Sequence, residues 1–578
     1  MWLLKLERTP RLILLCVVLG VVGALGAQLF LLLLHVFDSQ VLTRVGGYRE
    51  IGVQAAHAMT VAPSLFTRWY WWLPLSTTLG GLAAGIIIYG VAPETEGHGT
   101  DATLRAFHQN GGRMRSRVPF VKTLVSAITI GTGGSGGREG PTAQIASGAG
   151  AILGHLFKLP DEERRIVVLI GMAAGLSAIF KSPLGTAIYA VEILYSRMAF
   201  EGGALIFTLI SASVAYAVTG LFAGYTPLFL LPVNTRTLNP LDLLWFSLLG
   251  VLAGAVGALL PTVFYRVRDA FVALDVPRAL KPALGGLAVG LIGIAVPPII
   301  GGGYGYMQFV LQGGSGIAVW ALLLFAFGKI ITLSLTVGSG GSGGLFGPTL
   351  YVGVMLGASL GGLLHALGAD VDSSWLAVVG MAAVFAGSAR VPIAAMVMVI
   401  EMTGGFELIM PTMIAVAVAF LVQLLLTRHA RYPTLYESQV KTPAESPVYR
   451  DLFYQTAANL LRRQDVHLDR DILDSELQAV LDRGEGVALR RRQERLYSIA
   501  LPAGSPAVGQ ELRSLGLGEM GVLIVGVVRG EGEIVPNGGT RLQVGDGLLV
   551  ATTEEGMGRF RELTAAPQSE DDATRTVD

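Results

Sequence analysis

Apolar residues in this chain come in long blocks, not in the alternating or three-and-four spacing of water-soluble elements. Residues 12–34, 241–260 and 408–426 each run for about 20 positions, the length a helix needs to cross the hydrocarbon of a bilayer. In chain order the pattern predicts spanning helices over 12–36 and 73–92, then a polar link over 94–117. An apolar run at 118–130 leads into a glycine-rich break and a helix from about Pro141. Short apolar helices are expected at 166–178 and 183–195, separated by Lys181-Ser182-Pro183, and 205–221 closes a first half. The second half opens near Pro240 and runs through 241–267, 283–300, 316–335, a second glycine-rich break, 348–367, 376–388, 392–403 and 408–427. Many of these fall short of a full crossing. Helices that stop at membrane depth are tolerated only where their ends face protein or an aqueous cavity.

After Arg428 the pattern changes. Arg462, Arg463, Asp465, Asp469, Arg470 and Asp471 crowd together, so 441–494 reads as a water-soluble, partly helical linker. From Arg495 the apolar runs shorten to strand length: 496–501, 521–528, 533–535 and 548–551, with Gly545-Asp546-Gly547 as a turn. This predicts a small α+β domain to about Leu563, followed by a polar, disordered tail over 564–578.

The two glycine-rich breaks are copies of one another. Residues 134–142 read Gly-Ser-Gly-Gly-Arg-Glu-Gly-Pro-Thr, and residues 341–349 repeat them with only Arg138-Glu139 changed, to Leu345-Phe346. Gly171-Met172-Ala173-Ala174 returns as Gly380-Met381-Ala382-Ala383, Pro183 as Pro392 and Glu192 as Glu401, in nearly constant register. An internal repeat of a membrane domain with broken helices in matching positions points to a midplane binding site. Ionisable groups at that depth are costly and line water-filled or ion-bearing paths by default, which singles out Glu139. Glycine lets backbone approach a ligand, and a helix starting near Gly140 aims free N–H groups and a positive dipole end at whatever lies beside Glu139.

Composition narrows the class. Of 578 residues 52% are hydrophobic and 15% charged, mean hydropathy is +0.58, and the 76 glycines fit close packing of membrane helices. Zero formal net charge offers no basis for nucleic-acid binding. A single cysteine, Cys16, excludes an internal disulfide framework and a cysteine metal cluster. The first apolar run is long for a signal peptide. Lys5, Arg8 and Arg11 before the first span, with Arg428 and Arg431 after the last, predict cytoplasmic termini; Trp69, Trp71 and Trp72 are expected interfacial anchors. A dinucleotide-binding enzyme would need its glycines between a strand and a helix, whereas Gly134–Gly140 lies between membrane helices, so no catalytic residue or organic cofactor is expected. Gly303-Tyr304-Gly305-Tyr306 lacks the Thr-Val start of a potassium filter.

Gly137-Arg138-Glu139-Gly140-Pro141, Gly344-Leu345-Phe346-Gly347-Pro348, the Ala/Gly-rich 171–184 stretch and Glu401-Met402-Thr403-Gly404-Gly405 together resemble the CLC family of chloride channels and proton/chloride antiporters, over roughly residues 10–440. The resemblance implies an all-α polytopic membrane domain (1–440) of two inverted repeats, about 10–225 and 240–428. It further implies a homodimer in the plasma membrane, in contact with lipid, with one pathway for inorganic anions per subunit and chloride as bound substrate. Glu139 would be the gate: a carboxylate that occupies the anion's place and swings away when protonated, the alternative being a structural Glu139–Arg138 ion pair. Arg138 would attract anions to the outer vestibule or serve that pairing. Gly140, Leu345 and Phe346 would offer backbone N–H groups at helix starts; helix packing is the other reading of Leu345 and Phe346. Tyr436, with Tyr432 as competitor, would donate its hydroxyl to the inner anion.

Three features depart from the family pattern. Gly97-His98-Gly99-Thr100-Asp101 stands where Gly-Ser-Gly-Ile-Pro is usual, so His98, or the amides of Gly99 and its neighbours, would meet the anion; a solvated loop histidine is the alternative. Glu192-Ile193 replaces the glutamate pair of proton-coupled members, leaving an aliphatic Ile193 at the internal proton-relay position and Glu192 as a structural carboxylate. Finally, 495–563 resembles the TrkA-C (RCK C-terminal) domain of potassium-transport regulators, on Gly521–Gly526, Val535-Pro536-Asn537 and Leu542–Asp546. That likeness implies dimerisation and a small-molecule ligand of unstated identity. A voltage-driven chloride channel is expected, with a proton/chloride antiporter of the same fold as the alternative, and no metal site.

Overall fold

A long apolar segment in lipid can satisfy its amides only within itself, so the chain before Arg428 is almost wholly helical. The computed structural model describes residues 7–57, 70–232, 239–313, 317–443, 446–448, 487–488, 495–529, 532–534 and 536–565. Trp69, Lys5, Val535, nearly all of the expected linker and the tail beyond 565 lie outside the described residues. The chain divides into two units, Met1–Pro443 and Ala444–Asp578.

The first half of the membrane unit holds α1 (Arg8–Phe37), α2 (Val53–His57), α3 (Leu73–Val91), α4 (Thr100–His108), α5 (Val118–Gly131), α6 (Glu139–Leu156), α7 (Asp161–Phe180), α8 (Pro183–Glu192) and α9 (Gly202–Ala223). The second holds α10 (Pro240–Ala273), α11 (Lys281–Ala295), α12 (Tyr304–Leu311), α13 (Val319–Gly338), α14 (Phe346–Ala366), α15 (Ser373–Ala389), α16 (Pro392–Thr403) and α17 (Ile409–Leu426). Among the described residues eight helical segments are long and apolar enough to cross a membrane. Trp71 and Trp72 stand 69% and 65% exposed just before α3, as interfacial side chains would.

The predicted spans are found, with differences that have physical causes. Helix α7 starts at Asp161, earlier than expected, because Asp161, Glu162 and Glu163 fill its first turn, where acidic groups favour the positive dipole end. Helix α6 starts at Glu139, so Pro141 sits inside the first turn, where its missing N–H costs nothing. The link over 94–117 is not all loop: it contains α4, and α12 is its second-half counterpart; α4 is short and polar, and α12, though apolar, is only eight residues long, too short to register as an apolar block.

Pairs related by the repeat do the same work in each half. Gly150 and Gly171 let α6 and α7 touch backbone to backbone at Val167 and Ala146, as Gly353 and Gly357 do for α14 and α15 at Gly380 and Leu376. Lys181 and Arg390 end α7 and α15 in the left-handed conformation. Glu192 accepts from the N–H groups of Ile393 and Ala394 (3.2 and 2.7 Å) at the start of α16, while Glu401 accepts from Leu184 and Gly185 (3.3 and 2.8 Å) at the start of α8. Each short helix thus carries at its C-terminal end the carboxylate that caps the other's N-terminus.

The second unit is an antiparallel sheet of β1 (Val487–Ala488), β2 (Arg495–Ala500), β3 (Leu523–Arg529), β4 (Gly532–Ile534) and β5 (Gly547–Thr552), in the order β1-β2-β5-β3-β4. Helix α18 (Glu554–Thr564) buries Met557 and Phe560 in the core beside it. The predicted Gly-Asp turn is anchored by Asp546, fully buried and bonded through both oxygens to Arg529 at 2.8 Å.

Candidate functional site

The two glycine-rich breaks meet. Gly137 N–H donates to Gly344 O and Gly344 N–H to Gly137 O, both at 2.7 Å, an antiparallel pair on the pseudo-twofold axis between the halves. No side chain fits there: a Cβ on Gly344 would lie 2.8 Å from Gly140 N and 2.9 Å from Gly137 O. This contact brings the starts of α6 and α14 to one place, with their unpaired N–H groups and dipole ends.

Each break is also bound to a Gly-x-Gly loop. Gly97 N–H donates to Gly341 O (3.1 Å) and Gly343 N–H to Gly97 O (3.3 Å), while Gly301 exchanges bonds with Gly133 and Gly136 (both 3.4 Å). A buried lysine in each half holds its loop: Lys122 Nζ donates to Thr95 O and Gly97 O (3.0 and 2.8 Å), and Lys329 Nζ to Gly301 O (2.7 Å). Sequence reasoning missed both lysines. Their equal distance ahead of the two breaks, inside apolar runs, was the available signal.

Glu139 is fully buried at the start of α6. One carboxylate oxygen accepts from the Tyr304 hydroxyl, the other from Gly347 N–H at 3.2 Å. The amide that reaches the carboxylate is therefore Gly347's, one residue beyond the expected Leu345 and Phe346. Both of those are buried, and the Phe346 ring packs on Phe180 and Phe385 with centroids at 4.4 and 3.9 Å. Gly140 packs on the carbonyl of His98 and the Cα of Gly344. Arg138 is half-buried and forms no ion pair with Glu139 among the described residues; its guanidinium lies 4.2 Å above the Tyr304 ring.

Tyr436 is buried, and its hydroxyl accepts from Tyr189 (3.1 Å), which leaves its own proton for another acceptor. Its competitor Tyr432 is instead bonded to Arg268 (3.1 Å) and stacked on Tyr265. His98 is not a solvated loop residue: it is 6% exposed, because Gly97 and Gly99, at φ 73° and 85°, turn the loop inward ahead of α4. Its ring lies 5.4 Å from that of Tyr436; Nε2 is 3.0 Å from Asp101 Oδ2, and Nδ1 is buried without a partner. Gly99 sits against Gly140 O and Gln144, where a Cβ would crowd both. Ile193 is fully buried at the end of α8, and both oxygens of neighbouring Glu192 are taken by the cap of α16.

The arrangement offers neutral or dipolar donors at two places, the helix-start amide of Gly347 with the Tyr304 hydroxyl at the Glu139 carboxylate, and the Tyr436 phenol beside the His98 imidazole. Weak, distributed donors of this kind suit an ion that must also leave. No group of three or more potential metal ligands occurs among the described residues.

The profile of the Voltage gated chloride channel family matches residues 80–424, more than half of the chain, and that of the TrkA-C domain matches 496–565. A ClcB-like chloride channel protein of Ralstonia nicotianae is 33% identical over 353 residues, covering 60% of this chain and 81% of that protein. The voltage-gated ClC-type chloride channel ClcB of Shigella flexneri is 30% identical over 367 residues, covering 63% and 86%. Among solved structures, a CLC-type fluoride/proton antiporter superposes with a TM-score of 0.63 at 20% identity, covering 76% of this chain and all of that one. A slow cyanobacterial chloride/proton antiporter superposes with a TM-score of 0.62 at 22% identity, covering 74% and 97%; at such identities these two likenesses concern the fold. With its paired breaks and converging helix starts, the chain is a multi-pass membrane protein and belongs to the voltage-gated chloride channel, or CLC, family, with a TrkA-C domain following in the sequence.

Proposed function

We propose that the protein is a passive, voltage-driven chloride channel in which Glu139 acts as a protonatable gate. In the closed state the carboxylate takes the place of an anion beside Gly347 N–H; once protonated it no longer competes for that dipole and swings away. Arg138, near the mouth, raises the local anion concentration. Gly140, Leu345 and Phe346 contribute the helix-start backbone of the path, and Tyr436, with His98 and the Gly99 loop, completes an inner site for a partly dehydrated anion. The protein acts as a homodimer in the plasma membrane with both termini in the cytoplasm. The second unit is a regulator that responds to a small ligand.

Ile193 carries the choice of a channel over an exchanger. Coupled exchange needs a proton acceptor on the cytoplasmic side of Glu139, and an aliphatic side chain can neither take nor give a proton. The second reading, proton/chloride antiport, draws on the likeness to solved proton-coupled exchangers and on a water route past Ile193. The test is to reconstitute the full chain in proteoliposomes and impose a chloride gradient at zero pH gradient. A channel passes chloride with no proton movement and reverses at the chloride potential. Uphill proton movement with a displaced reversal potential would establish the antiporter, and cation flux without anion flux would overturn both readings.

A further inference from the structure

The Gly303-Tyr304-Gly305-Tyr306 segment, which is no cation filter, ends beside Glu139. Tyr304 is the first residue of α12, and its hydroxyl donates to the Glu139 carboxylate across more than 160 residues of chain. Its ring is fixed on two sides, with the Arg138 guanidinium 4.2 Å over one face and Phe229 stacked at a centroid distance of 6.4 Å. The loop that delivers it is fixed as well. Gly303, at φ 77°, donates its N–H to Glu50 Oε1 at 2.6 Å, and Lys329 holds the carbonyl of Gly301. The ring so placed presents its hydroxyl to the carboxylate.

We infer that Tyr304 is a latch on the gate, a positioning residue that donates to the ionised Glu139 carboxylate and holds it in the anion's place. The inference rests on Glu139 being the gate. A donor to a carboxylate favours its charged form, so the latch sets how much acid opening requires. Arg138 just ahead of α6, Lys329 on α13 and Tyr436 beyond α17 also act on this carboxylate. All three remain when only the Tyr304 hydroxyl is removed, so their contribution cancels in the comparison.

The experiment measures chloride current through the full chain in lipid bilayers from pH 4 to pH 9, for the wild type, Tyr304→Phe, Glu139→Gln and the double variant. Tyr304→Phe keeps the ring between Arg138 and Phe229 and deletes one donor. Its half-activation pH is expected to rise by about one unit, about a tenfold gain in proton affinity. In the Glu139→Gln background the same change is expected to leave the current–pH curve unmoved. A flat Glu139→Gln profile together with an unshifted or acid-shifted Tyr304→Phe profile would overturn the latch and leave the gate standing. A Glu139→Gln channel that keeps the wild-type pH profile would remove the gate, and the latch with it.

Discussion

At the scale of single residues the proposed transport mode rests on two side chains, which differ in whether they can carry a proton. Glu139 can, and it meets a dipolar amide and a phenol; Ile193 cannot, and it is buried with no polar side-chain atom. Placing a carboxylate at position 193 therefore asks whether the rest of a proton route already exists. Ile193→Glu is expected to convert passive chloride flow into chloride-driven proton movement, read as a pH change in the external medium. The cost is a new buried polar group, about 1–3 kcal/mol of stability. A folded Ile193→Glu protein with no proton signal would mean that the route is broken elsewhere as well. Glu192 is poorly suited to substitute as relay, since ionised it already caps α16 through both oxygens.

Among the elements, the site depends on helix starts being brought closer than side chains allow. The reciprocal Gly137–Gly344 hydrogen bonds carry α6 and α14 to the axis, and a methyl group at 344 would meet backbone atoms at 2.8 and 2.9 Å. Backbone cannot rotate aside as a side chain can, so Gly344→Ala is expected to cost about 1–3 kcal/mol and to reduce chloride flux sharply. Gly90→Ala, whose added methyl meets nothing within 4 Å, is the control: it should leave flux unchanged and keep or slightly raise thermal stability in detergent, because alanine favours the helix. Equal behaviour of the two variants would show that the close approach is not needed. The helices, their order and the repeat were legible before any coordinates, because apolar block length and the copied Gly-Ser-Gly-Gly motif are local signals. Helices α4 and α12 were not, since helices of eight or nine residues are too short to form an apolar block and neither carries the copied motif.

For the molecule as a whole, the two units have separate hydrophobic cores, one across the membrane helices and one between sheet and α18. Separate cores imply that removing one leaves the other able to fold. A chain ending at Pro443 is expected to stay a folded transporter, eluting as one species in detergent and passing chloride at an altered rate. An unchanged rate, together with no small-molecule binding to the full chain, would reduce the second unit to an assembly aid. Identity as a CLC-family protein was likewise legible in the sequence. It rests on motif order over most of the chain, and the profile matches cover both units.

The sequence by itself determined the membrane class, the two halves, the carboxylate at the break and the absence of a carboxylate at 193, since block length, motif copying and residue identity need no contacts to be read. Only the tertiary structure decided which groups touch that carboxylate: Gly347 N–H rather than the amides of Leu345 and Phe346, and the hydroxyl of Tyr304 rather than the guanidinium of Arg138. It also decided that His98 is buried against Tyr436, that Tyr432 belongs to Arg268, and that α8 and α16 are each capped by a glutamate from the opposite half. Those contacts join positions 160 or more residues apart in most cases, and no local preference encodes them. They follow from the pseudo-twofold packing of the halves, where glycine permits backbone contact and buried donors must find acceptors within the protein.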